Sequence, residues 1–213
     1  MAGGTMLVRN FLAFLGVLLC LLLNTGRLSA QPEAPIATSR TSALVQSARS
    51  QIGATTQYDP AYTRLSFPGG DVDRTKGVCT DVIIRAYRDA FGYDLQETVN
   101  RDMRRNFSAY PKNWGLSRPD SNIDHRRVPN LQVFLVRHGT RLPVSNEASR
   151  YLPGDIVTQM LPGNLPHIVI ISDRYSRDGK TPLVIHNIGR GTREEDSLFA
   201  FKITGHYRLT LRQ

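Results

Sequence analysis

The hydrophobic period changes at Gly154, and that change limits the chain to folds that place helices before strands. Upstream, apolar residues recur at helical spacing. Leu44, Val45, Ala48 and Ile52 form one stripe, with Ser42 placed to cap its start and Gly53 after its end. Val82, Ile83, Ala86, Tyr87, Ala90 and Phe91 form a second stripe over Cys79 to Phe91, stopped by Gly92. Leu95, Val99, Met103 and Phe107 mark a third helix, and Pro129 opens a short fourth one from Asn130 to Arg137. Tyr110 to Val128 reads as a long polar loop. Downstream, Asp155–Met160, His167–Asp173, Leu183–Ile188 and Phe201–Leu209 are short β-branched or apolar runs separated by Gly, Pro and Asp-Gly signals. Helices first and strands second predict an α+β fold with an antiparallel sheet.

The first thirty residues do not belong to that pattern. Arg9 precedes an apolar run of 13 residues, Phe11 to Leu23, which is too short for the ~20 residues a membrane span needs. With Ser29 and Ala30 as small residues, residues 1–30 read as a signal peptide cut after Ala30; an uncleaved N-terminal anchor is the alternative. Residues 31–40 hold two prolines and read as a linker, leaving residues 41–213 as a single domain. The expected location is therefore exported, periplasmic or secreted, with no stable membrane span once the signal is removed.

Cleavage would change the chemistry of the cysteines. The chain has two, and Cys20 lies inside the apolar run, so the mature protein would keep Cys79 alone. A lone thiol in an exported protein is an inert buried group, an intermolecular linker or a reactive centre. The formal charge falls only from +9 to +7, through loss of Arg9 and Arg27. That charge attracts anionic partners in general. No HExxH spacing, P-loop or dinucleotide fingerprint is present, so neither a metal nor a cofactor is expected.

Cys79 stands where the second helix begins. Unpaired N–H groups and the positive end of the helix dipole there favour the thiolate, whereas burial as a small hydrophobe is the competing reading. His167 begins an apolar strand, and His186 lies in the next one. If those strands pair around a loop from Arg174 to Gly179, His167 opposes His186 and the two share a face of the sheet. His186 could then fix the tautomer of a His167 base.

Gly77-Val78-Cys79, Pro153-Gly154-Asp155-Ile156-Val157, His167-Ile168-Val169-Ile170 and Val184-Ile185-His186 resemble the ordered landmarks of NlpC-like cell-wall cysteine peptidases, within the papain-like superfamily. The resemblance implies a nucleophile at a helix start packed on an antiparallel sheet. It assigns the nucleophile to Cys79, the base to His167 and the orienting residue to His186. It also makes Tyr58, by order, the counterpart of a tyrosine that assists the oxyanion site. The sequence departs from that family at the nucleophile, with Val78-Cys79-Thr80-Asp81 where Asp-Cys-Ser-Gly is usual. Tyr58 to Tyr207 as a whole is similar to a YijF-like family of uncharacterised exported bacterial proteins, through Gly77 to Val82, Asn122 to Arg126 and Leu183 to Gly189.

Asp81, Arg85 and Asp102 either line the site or form a solvated helix face. Asp124, His125 and Arg126 belong to a polar loop that either binds substrate or is a turn held by Asp and Asn side chains. His138 reads as a helix-end residue, and His206 as part of an exposed basic face with Lys202, Thr204 and Arg208. The expected function is a cysteine hydrolase cleaving amide bonds, with peptidoglycan or another anionic wall polymer as partner and no nucleic acid. A non-catalytic wall-binding protein on the same fold and a thioester acyltransferase are the alternatives.

Overall fold

A computed structural model describes residues 36–211, together with Met1. The expected signal peptide at 1–30, with Cys20, and the first half of the expected linker lie outside the described residues. Helix α1 (Ile36–Arg49) begins within the stretch expected to be linker, and Ser42 is an interior helical residue, not a cap. Two short strands follow, β1 (Gln57–Tyr58) and β2 (Lys76–Gly77), which pair in parallel. Then come α2 (Cys79–Phe91), α3 (Leu95–Asn106) and α4 (Val128–His138). The remaining strands are β3 (Thr140–Leu142), β4 (Ile156–Leu161), β5 (Leu165–Tyr175), β6 (Pro182–Asn187), β7 (Thr192–Glu195) and β8 (Lys202–Arg208). They form one antiparallel sheet in the order β3-β8-β4-β5-β6-β7. The fold is α+β.

β5 runs through the middle of the sheet and is covered on both sides. Ile168 and Ile170 join the cluster formed by α1, α2, α3 and α4, while Val169 and Ile171 pack with Tyr151, Val157, Val184 and Leu198. All four β5 side chains are fully buried. This explains why the run is continuously apolar instead of alternating. Burying each contributes roughly 1.5–3 kcal/mol.

α2 is the central helix. Its C-terminus closes on Gly92 in the left-handed conformation, as the sequence predicts. Its polar face is not solvated, because the loop between β1 and β2 covers it. Arg85, 1% exposed, donates to Asp71, to the Thr55 hydroxyl and to the carbonyls of Val72 and Lys76. One guanidinium thus fixes the loop that leads into Gly77-Val78-Cys79. Asp102 is likewise buried, in pairs with Arg137, His138 and the Tyr110 hydroxyl. His206, expected to be exposed, is buried under Tyr151 and bonded to Asp155 at 2.8 Å.

The turn before β7 is held against the β1 approach. Thr192 N–H donates to Thr55 O at 2.8 Å, and Gly191 has φ of 84°. A Cβ on Gly191 would lie 2.5 Å from Thr55 O. Gly191→Ala therefore combines backbone strain with overpacking, and a loss of about 1–3 kcal/mol in urea unfolding is expected. An unchanged midpoint would mean that the two segments do not hold each other.

Candidate active site

Cys79 is the first residue of α2, and Val78 before it is extended. The local cause is Asp81, whose carboxylate accepts the Val78 N–H at 2.6 Å, one half of a capping box. Arg126 locks that carboxylate in place, with Nε to Oδ1 and Nη2 to Oδ2 both at 2.9 Å. Asp81 and Arg126 are thus a buried ion pair beneath the helix start, not a solvated face. Arg126 also donates to the carbonyls of Asp59 and Ala61, and its own carbonyl accepts from Thr80.

The thiol is 5% exposed. Nearby main-chain N–H groups, that of Ile168 foremost, favour its ionised form. Burial nevertheless pushes the thiol up to about 12, so the helix start does not leave a resting thiolate here. Of the two readings of the helix-start position, the burial is what the structure shows. Desolvation outweighs the backbone donors because Cys79 belongs to the buried apolar cluster that also holds Val82, Ile83, Ile168 and Ile170.

β5 carries His167, the residue before Ile168. Its Nε2 lies 2.8 Å from His186 Nδ1, and both rings are buried. The pairing register differs from the expected one by two residues. Ile170 opposes Ile185, and Ile171 opposes Val184, after which the register shifts before Tyr175 pairs with Pro182. The turn lies two residues later on each strand than expected, and two additional residues on β5, around Ser172 to Arg174, take back half of that displacement. The Ser172 hydroxyl there accepts the Arg174 N–H, and Arg49 of α1 binds both Ser172 and Asp173. A shift of two keeps both histidines on the same side of the sheet. No hydrogen bond joins Cys79 to either ring among the described residues.

A cleft of about 420 Å³ lies over the sulfur. Tyr58, Trp114, Arg126, Arg127 and Pro166 contribute to its walls, and the Arg127 guanidinium sits 4.0 Å above the Trp114 ring. Tyr58 is brought to Cys79 by the pairing of Tyr58 with Gly77. Partial burial, then the nearby Cys79 and Asp81, push its phenol up to about 12, so it is a hydrogen-bond donor at neutral pH. The sequence pattern does not reveal Trp114 or Arg127. A larger hollow, about 620 Å³ and mainly apolar, lies between α1 and the Leu152–Asp155 turn, away from this chemistry.

Asp124 and His125 do not line the cleft. Asp124 accepts from the Asp120 N–H at 2.6 Å and from Arg127, and desolvation raises its carboxyl. It holds the loop together. His125 is buried with Nδ1 unpartnered, and desolvation followed by the Arg126 charge takes it down to about 3. His167 is also lowered to about 3, by burial and then by His186. Both rings are neutral when folded and cationic below about 6.5 when unfolded, so stability is lost as pH falls below that value. Each contributes up to about 1.4 kcal/mol per pH unit between 6.5 and its folded value. Urea unfolding at pH 7 and pH 5 should show the decrease, with a shallower slope in His167→Gln. A flat profile would contradict neutral buried rings.

With this geometry in place, the comparison with known proteins is informative. The family described as "Domain of unknown function (DUF1287)" matches residues 45–209. The chain belongs to that family. It is also 55% identical over 166 residues to "Uncharacterized protein YijF" of Escherichia coli (strain K12), covering 78% of this chain and 80% of that protein. The match in the DUF1287 family runs from within α1 through β8, so Cys79, His167, His186 and the cleft walls all lie inside it.

Proposed function

We propose that the protein is an exported cysteine hydrolase on an NlpC-like, papain-like fold, cleaving amide bonds of peptidoglycan peptides. The observation that carries this reading is the pairing of His167 Nε2 with His186 Nδ1 at 2.8 Å, in a chain whose helix-start cysteine lines a cleft. His167 keeps one ring nitrogen outside that pair, and a neutral imidazole can accept a proton there. In the resting state thiol and imidazole are both neutral. Substrate entry brings the groups into the catalytic arrangement, since such hydrogen bonds commonly tighten only in the bound complex.

The steps balance without a cofactor. The Cys79 sulfur bonds to the amide carbonyl carbon as its proton passes to His167. The oxyanion is met by the N–H groups at the α2 start and by the Tyr58 hydroxyl. His167 then protonates the leaving amine as the C–N bond breaks, leaving a thioester. Water, deprotonated by His167, attacks that carbonyl and releases the acid, and the thiol regains its proton. The positive charge of the chain favours approach to anionic wall polymers.

The buried thiol favours a second reading, a wall-binding protein that uses the cleft without chemistry. Incubation of the mature protein with purified peptidoglycan fragments, followed by mass spectrometry, separates the two. Cleaved stem peptides are expected from the wild type. Intact fragments that remain bound to the protein support the wall-binding reading.

A further inference from the structure

The hydrogen-bond chain does not stop at His186. His186 Nε2 lies 3.1 Å from Glu195 Oε2 on β7. β7 is placed by the antiparallel pairing of Val184 with Glu195 and of His186 with Arg193. The Glu195 side chain is 38% exposed, and Arg193 Nη1 approaches its other oxygen at 3.6 Å. The buried rings are therefore joined to an acidic group at the edge of the sheet.

That chain has one consistent assignment of protons. An ionised carboxylate only accepts, so His186 Nε2 carries the hydrogen. A neutral His186 then has a lone pair on Nδ1, which must accept from His167 Nε2–H. His167 is left with its lone pair on Nδ1. We propose that Glu195 is a positioning residue: through His186 it fixes the tautomer of His167, leaving Nδ1 of His167 as the one ring nitrogen of the pair with a free lone pair. The catalytic use of that lone pair rests on the hydrolase reading above, but the tautomer itself does not. Desolvation, the largest effect at both histidines, keeps the rings neutral, as the relay requires.

Without the carboxylate, nothing on β7 selects which nitrogen of His186 is protonated, and the opposite pair of tautomers becomes accessible. In that pair His186 Nδ1–H donates to His167 Nε2, and His167 Nδ1 carries a hydrogen that blocks proton acceptance. Glu195→Gln retains an oxygen that can accept from Nε2–H and should preserve the assignment. Glu195→Leu removes it.

The test is nitrogen NMR of the histidine rings in protein labelled with 15N-histidine, at neutral pH and without substrate. The wild type should show His186 and His167 both protonated at Nε2, with an unprotonated Nδ1 on His167. Glu195→Gln should match it, and Glu195→Leu should show mixed or inverted tautomers in a protein with unchanged unfolding behaviour. Wild-type His167 protonated at Nδ1, or an unaltered Glu195→Leu spectrum, overturns the proposal whether or not the protein cleaves anything. An inactive wild type with the expected tautomers would count against the hydrolase reading alone. If turnover is measurable, Glu195→Leu should lower kcat by about 10- to 100-fold with KM little changed, with Glu195→Gln close to wild type.

Discussion

If the protein is the proposed hydrolase, Cys79→Ala and His167→Ala should each reduce release of peptidoglycan fragments by at least about 10³-fold, and the double variant should be little worse than either. On the hydrolase reading, the sulfur and the imidazole act as one unit in forming the thioester. Removing the nucleophile leaves the base nothing to activate, and removing the base leaves a thiol that burial keeps protonated. The His167 variant should be the more informative of the two. For an exposed cysteine of ordinary pKa, raising the pH would restore part of the activity by forming thiolate directly. Here the thiol is pushed up to about 12, so His167→Ala should regain little turnover below pH 10. Binding should survive in both variants, because the cleft walls at Tyr58, Trp114 and Arg127 are unaltered. Full complementation of a deletion strain by Cys79→Ala at native expression would remove the hydrolase reading and leave the wall-binding one.

Arg126→Ala is expected to cost about 3–5 kcal/mol of stability, the largest loss from any single substitution considered. The side chains of Arg126 and Asp81 are 2% and 4% exposed and meet through two parallel contacts. Deleting the guanidinium leaves a carboxylate in the interior with only the Val78 N–H as a direct partner. It also frees the carbonyls of Asp59 and Ala61, so the strand that carries Tyr58 to the cleft loses its tether. Arg126→Lys should fall between, since an ammonium cannot reproduce the bidentate geometry. Denaturant unfolding measures this directly. A loss below 1 kcal/mol would mean that water reaches Asp81 and that the helix start is less rigid than its hydrogen bonds indicate.

The order and type of α1 to α4 and of the strands β4, β5, β6 and β8 were legible from periodicity, because a buried face imposes its period on any chain that forms it, whereas the short β1, β2 and β3 were not. The stops at Gly92 and Gly139, the helix beginning at Cys79 and the central apolar β5 follow from local pattern. β7 was not legible: Thr192-Arg193-Glu194-Glu195 has no apolar alternation, and the strand forms by pairing with β6 and by the bond of Glu194 to Arg49. The Gly189-Arg190-Gly191 turn was the available signal that a further strand returns along β6 and could bring an acidic residue near His186.

By itself, then, the sequence determined that helices precede an antiparallel sheet, that one cysteine opens a helix, and that two histidines lie on successive strands. Only the tertiary structure decided what surrounds them. The register between β5 and β6 is set by a turn that lies two residues later than expected and by the Ser172–Asp173 irregularity, which Arg49, more than a hundred positions away along the chain, holds. Asp81 and Arg85 look like a solvated helix face in the sequence and are buried because a loop closes over α2. Periodicity records whether a residue faces the core of its own element. It carries no information about which distant segment covers the other side, and that covering sets the burial of the thiol, the neutrality of the histidines and the place of Glu195.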